Sequence, residues 1–106
     1  MPKSYSPEYI ESINNVGMYD NLGVVMARAC IKANIPMKLV AKLFGVSRMT
    51  VHTWFRGGPI RSGRVPLVNA FLKIVEEDTA KGILPLADFN EARKYMNRLI
   101  EEKESA

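Results

Sequence analysis

Residues 37–56 read MKLVAKLFGVSRMTVHTWFR, and this stretch decides the fold. Val40, Phe44, Val46, Val51 and Trp54 are the apolar positions expected to face inward, spaced by four on a first helix, five across a turn and three on a second helix. That spacing predicts two helices meeting at a steep angle across a turn of about three residues. Few side chains fit so tight a junction. Ala41 stands where the first helix must pass closest to the second, and Gly45 falls where the chain leaving a helix tends to turn left-handed. No proline interrupts either helix.

Ser47 directly precedes the second helix and is a good N-cap, its hydroxyl accepting a free backbone N–H of the first turn. The second helix is therefore expected over residues 48–56. With Val51 and Trp54 turned to the core, Ser47, Arg48, Met49, His52, Thr53 and Arg56 project outward. Phe55 permits either packing or exposure. An ordinary helical hairpin would explain the apolar spacing, but not the small residue, the turn glycine and the capped basic helix together. The pattern is that of a helix-turn-helix whose second helix reads duplex DNA.

Residues 21–75 resemble the Cro and λ-repressor type of helix-turn-helix domain, and Trp54 followed by Arg56 and Gly57 strengthens the likeness. The resemblance implies an all-α bundle of about five or six helices that presents the second helix of the motif to the major groove. Carried over position by position, it implies base-facing roles for Arg48, Met49, His52 and Thr53. Lys38, Ser47, Arg56 and the loop arginines Arg61 and Arg64 then lie near the DNA backbone. The chain departs from the family pattern in three places. Met37 stands where a glutamine is common, Phe55 replaces a frequent glutamate, and the loop GGPIRSGRVP is longer than usual.

Charge points the same way. Residues 21–75 hold nine bases (Arg28, Lys32, Lys38, Lys42, Arg48, Arg56, Arg61, Arg64 and Lys73) and no Asp or Glu, whereas the flanks carry −2 and −3, leaving the chain at +4. A positive block overlying a groove-reading motif is the footprint of phosphate binding, which dominates affinity and makes it salt-dependent. The loop 57–66 adds three glycines, two prolines and two arginines just past the reading helix. Backbone and charge there can approach a phosphate strand or the adjacent minor groove.

At 106 residues and 47% hydrophobic content, one domain can bury a real core. The expected division is a short N-terminal helix in residues 1–20, the helix-turn-helix domain in 21–82, and a last helix in 83–106. Ser6-Pro7-Glu8 opens the first helix, with Tyr9, Ile10 and Ile13 on its apolar side and Gly17 near its end. The next runs from near Asp20 or Asn21 to before Pro36, with Leu22, Val25, Met26, Ala29, Cys30 and Ala33 on one face. Pro66 opens another, with Leu67, Phe71, Ile74 and Val75 inward and Gly82 as its stop. Asp88 and Glu91 form a capping-box-like start to the last helix, whose Phe89, Ala92, Met96 and Leu99 make an apolar stripe widened by Tyr95 and Ile100. Two roles are open for that stripe: closing the monomer's core, or pairing two copies into a homodimer.

No apolar stretch is long enough to span a bilayer and the N-terminus lacks a signal-peptide segment, so a cytoplasmic protein, on the nucleoid when bound to DNA, is expected. Cys30 is the single cysteine and reads as a small buried apolar residue. There is no Cys or His cluster with metal-ligand spacing and no nucleophile with a partnered base, so neither an enzyme, a metal, a cofactor nor a small-molecule ligand is expected. The expected function is a DNA-binding transcription regulator. The alternatives are a DNA-packaging or recombination accessory factor, and a protein-interaction inhibitor that keeps the scaffold without using it on DNA.

Overall fold

The computed structural model describes residues 3–105, which are all-α, with no strand among them. Six helices follow in order: α1 (Pro7–Val16), α2 (Leu22–Ala33), α3 (Met37–Phe44), α4 (Arg48–Phe55), α5 (Val65–Ala80) and α6 (Phe89–Ser105), with a 3₁₀ turn at Ser62–Arg64 before α5. The expected bundle of about five or six helices is what the chain forms.

Local chemistry places most boundaries. The Ser6 hydroxyl accepts the Tyr9 N–H at 3.1 Å with Pro7 in the first turn of α1, and Gly17 ends that helix at φ 72°. Asn21 caps α2 by accepting the Val24 N–H at 3.2 Å. Asp88 accepts the Glu91 N–H at 2.9 Å while Glu91 reaches back to the Ala87 N–H, also at 2.9 Å. Those reciprocal bonds satisfy donors that a helix start leaves free.

One core runs through all six helices. The inward face of α2 is rotated from the expected one: Val24 and Ala27 are wholly buried beside Met26, Cys30 and Ala33, whereas Val25 and Ala29 are only half-buried. The cause is Gly23. A β-carbon there would overlap the backbone carbonyl of Trp54, so α2 and α4 meet backbone to backbone and turn this side of α2 inward. On α5, Val68 joins Phe71 and Val75 as fully inward, and Leu67 and Ile74 sit half-buried at the rim.

The chain outside the helix-turn-helix is bound into the same core. Tyr5 and Ile13 are buried, and the Tyr5 hydroxyl donates to the Ile35 carbonyl at 2.6 Å. Asn34, left-handed at φ 60°, accepts the Ser4 N–H at 2.7 Å and donates to the Leu86 carbonyl at 2.8 Å. One side chain thus ties together three segments far apart in sequence. Asn34→Gly keeps the backbone conformation and removes both bonds. It is expected to cost about 1–3 kcal/mol, read as a lowered denaturation midpoint, and an unchanged midpoint would show the ties to be dispensable.

α6 closes the monomer. Ala92, Tyr95, Met96 and Leu99 are buried against the core, with α6 packed along α3. The Tyr95 hydroxyl donates to Asp78 of α5 at 2.5 Å. The pairing role open to this stripe is therefore not available to it. Phe89, placed in the stripe by its spacing, is instead 47% exposed, because the chain enters α6 at its edge after burying Leu84 and Leu86.

Burial also sets a pH limit. Burial pushes the Tyr5 phenol far above its ordinary 10.0, with Cys30 and Tyr9 adding to the shift. Burial likewise raises the Tyr95 phenol, helped by its bond to Asp78, and raises the Cys30 thiol above its ordinary 9.0. A group whose pKa is raised in the folded state favours folding below its unfolded value, and that contribution is lost as the unfolded chain ionises. Stability should be insensitive to these groups below about pH 8 and fall progressively above about pH 9, through Cys30 first and the tyrosines next. Denaturation midpoints from pH 7 to 11 check this, and Tyr5→Phe should make the alkaline fall shallower.

Candidate nucleic-acid interface

The junction of α3 and α4 has the three-residue turn its spacing predicts. α3 ends at Gly45 in the left-handed conformation, φ 68°, with the Val46 N–H returning to the Ala41 carbonyl at 3.0 Å. Ala41 is buried, and Val46 is half-buried rather than fully inward. Val51 is wholly buried, and Trp54, 4% exposed, meets Phe44 edge-on with ring centroids 5.6 Å apart. Phe55 is wholly buried, which settles its two possible roles in favour of packing.

The last carbonyls of α3 take two cations from outside the motif. Lys103 of α6 donates to the Leu43 carbonyl at 2.6 Å, and Arg64 donates to the Phe44 carbonyl at 2.8 Å. Positive charge at a helix C-terminus satisfies orphan acceptors and offsets the helix dipole. Arg64, expected among the backbone-contacting residues, is thus half-buried with its guanidinium holding the fold. Arg61, on the same loop, is exposed. Asn21 fixes the start of that loop, its side-chain amide donating to the Gly57 carbonyl at 3.2 Å.

On α4 itself, Ser47 accepts the Thr50 N–H at 3.1 Å, so its hydroxyl serves the helix. Arg48, Met49, Thr53 and Arg56 are exposed, as is Lys38 at the start of α3. Met49 stands out for an apolar side chain, 70% exposed at the second position of α4. The Thr53 hydroxyl donates back to the Met49 carbonyl at 3.0 Å, and its methyl group lies against Gly58, where an added β-carbon would come within 2.5 Å of it. His52 departs from expectation. It is half-buried, its ring 5.8 Å from that of Tyr9 and tilted 39° to it.

Comparison with known proteins finds no matching family, no similar curated protein and no similar solved structure.

Tyr9 belongs to α1, so the N-terminal segment, assigned no site role from sequence, forms one wall of the surface. Ser4, Ser6 and Tyr9 border a cleft closed on the other side by Lys38, Arg48 and His52. The Tyr9 ring also stacks on Tyr5, centroids 5.6 Å apart, which anchors it to the core. The four-residue spacing of Tyr5 and Tyr9 was the available signal, but nothing local tells which helix such a pair will cover. The exposed cations Lys38, Arg48 and Arg56 and the exposed, apolar Met49 together make a positively charged ridge. Among the described residues no group of three or more His, Cys, Asp or Glu could hold a metal ion, and no helix is long and apolar enough to cross a membrane.

Proposed function

We propose that this chain is a sequence-specific duplex-DNA-binding regulator that inserts the outward face of α4 into the major groove. The observation that carries the proposal is the ridge itself. A capped helix held rigidly by Val51, Trp54 and Phe55 presents Arg48, Met49 and Thr53 outward, inside a block of 55 residues with nine bases and no acid. A protruding helix of this kind fits a groove about 12 Å wide. Arginine suits the guanine edge through paired hydrogen bonds, and the exposed methionine suits thymine methyl groups, with Thr53 beside it on the same face. Lys38, Arg56 and Arg61 lie beside them as phosphate partners, and His52 serves as a flanking contact at most, since Tyr9 covers part of its ring.

The likeness of residues 21–75 to the Cro and λ-repressor type supports the same reading. One such helix spans only a few base pairs, so the working form proposed is a homodimer on an inverted repeat, with reading helices about 34 Å apart. Its pairing surface lies outside the buried stripe of α6. Promoter occlusion is the simplest regulatory mechanism, with the protein on the nucleoid when bound.

Selection of bound fragments from random duplex DNA tests the reading. An enriched motif with twofold symmetry is the expected result. Binding that selects no sequence would favour a packaging role, and no salt-dependent binding to duplex at all would favour a protein-interaction module on the same scaffold.

A further inference from the structure

The exposed Phe89 is not stranded on an otherwise ordinary surface. It forms one lip of a cleft of about 540 Å³ between the outer face of α3 and the first turns of α6. Its floor is apolar, from Leu39, Ala41 and Val46, and four cations surround it: Lys38 and Lys42 from α3, Arg48 from α4 and Arg93 from α6. All four are exposed. Among the described residues, none lining the cleft carries a carboxylate. The two acids at this end of α6, Asp88 and Glu91, are engaged in its N-terminal cap.

Two features say what covers this cleft. The first is continuity, because Lys38 and Arg48 belong both to it and to the proposed reading surface, so a polyanion lying along α4 runs on toward Arg93. The second is the chemistry of the lining. Cations flanking an exposed aromatic ring suit a chain that alternates anionic and apolar groups, as phosphate and deoxyribose alternate along a DNA strand. We infer that α6 is a second DNA-contacting element: Lys42 and Arg93 clamp the phosphate strand flanking the bases read by α4, and Phe89 packs on its sugar edge. This rests on the DNA-binding reading above and extends it to a helix outside the helix-turn-helix. α6 therefore serves both sides of the molecule, its buried stripe closing the core and its exposed edge meeting DNA.

The test is equilibrium binding of the full chain, over a range of salt, to a long duplex carrying the selected sequence and to one trimmed to that sequence alone. Each phosphate contact contributes about 0.9 to the slope of log affinity against log salt. The double variant Lys42→Ala/Arg93→Ala should bind the long duplex about tenfold more weakly, with the slope shallower by about two, and with unchanged base preference. On the trimmed duplex the difference should disappear. Phe89→Ala should weaken binding to the long duplex and leave the salt slope as it was, because it removes no charge. All three side chains are exposed, so thermal midpoints should match the unaltered chain, which separates lost contacts from lost folding. A double variant that binds the long duplex as tightly as the unaltered chain at every salt concentration overturns the inference. If Arg48→Ala still impairs recognition in that case, the reading by α4 stands and the cleft belongs to an acidic protein partner instead. Failure of the unaltered chain to bind duplex at all would overturn both.

Discussion

Replacing Trp54 with alanine is expected to destabilise the folded chain by about 3–5 kcal/mol and to lower its thermal midpoint by many degrees. The indole is 4% exposed and stands edge-on to Phe44, which in turn stands edge-on to Phe71 at 6.1 Å. α4, α3 and α5 thus meet through a chain of three aromatic rings, and removing the one from α4 leaves a cavity that the other two cannot fill without shifting. Relaxation is further restricted on the α2 side. There the Trp54 carbonyl lies against the Cα of Gly23, and Asn21 holds the Gly57 carbonyl just beyond the end of α4. Any loss of DNA binding by this variant should follow its loss of structure. A Trp54→Ala protein with an unchanged thermal midpoint but no binding would remove Trp54 from the core and place it on DNA. The matched control is Thr53→Ala, one residue away and exposed, whose midpoint should move little.

These two neighbours show which parts of the molecule can be read along the chain. The α3–α4 junction is legible because its determinants are local: Ser47 caps the helix that begins at the next residue, and Gly45 makes the turn it occupies. The all-α architecture is legible for the same reason, since caps or punctuation recur at most helix boundaries. What escapes is whatever depends on a partner far along the chain. Gly23 carries no periodic signal, yet its missing side chain sets how α2 crosses α4. Asn34, which nothing in the sequence singles out ahead of Pro36, proves to be a three-way tie. Arg64 reads as one loop cation among several, but the carbonyl that claims it lies twenty residues back at Phe44. His52 looks as outward as Arg48 by helical angle, and becomes half-buried only because α1 lays Tyr9 over it from 43 residues away. Phe89 fails in the opposite direction: helical spacing puts it in the stripe, but a stripe's first residue is buried only if the neighbouring helix extends that far.

Arg48 is the side chain whose removal should most directly change what DNA the protein prefers. It occupies the first position of α4, is exposed, and belongs to the clefts on both sides of the helix. From there a long, planar donor group can swing into the groove without disturbing the core. Arg48→Ala should leave the thermal midpoint unchanged, because Ser47 still caps the helix and alanine is a good helix former. Binding to the preferred sequence should weaken by about 1–3 kcal/mol, and preference should relax at a single base pair of each half-site, if the guanidinium meets a guanine edge. Two alternatives give different signatures. A phosphate contact would weaken binding to every sequence by the same factor and reduce the salt slope by about one, without relaxing any base preference. An Arg48 that instead serves the α1–α3–α4 cleft structurally would lower the thermal midpoint, as the guanidinium's neighbours Tyr9 and His52 lost a packing partner. Comparing selection profiles of the variant and the unaltered chain at one salt concentration, together with their thermal midpoints, distinguishes the three. Relaxed preference at one position with an intact fold is the result that would tie the exposed ridge of α4 to the reading of bases.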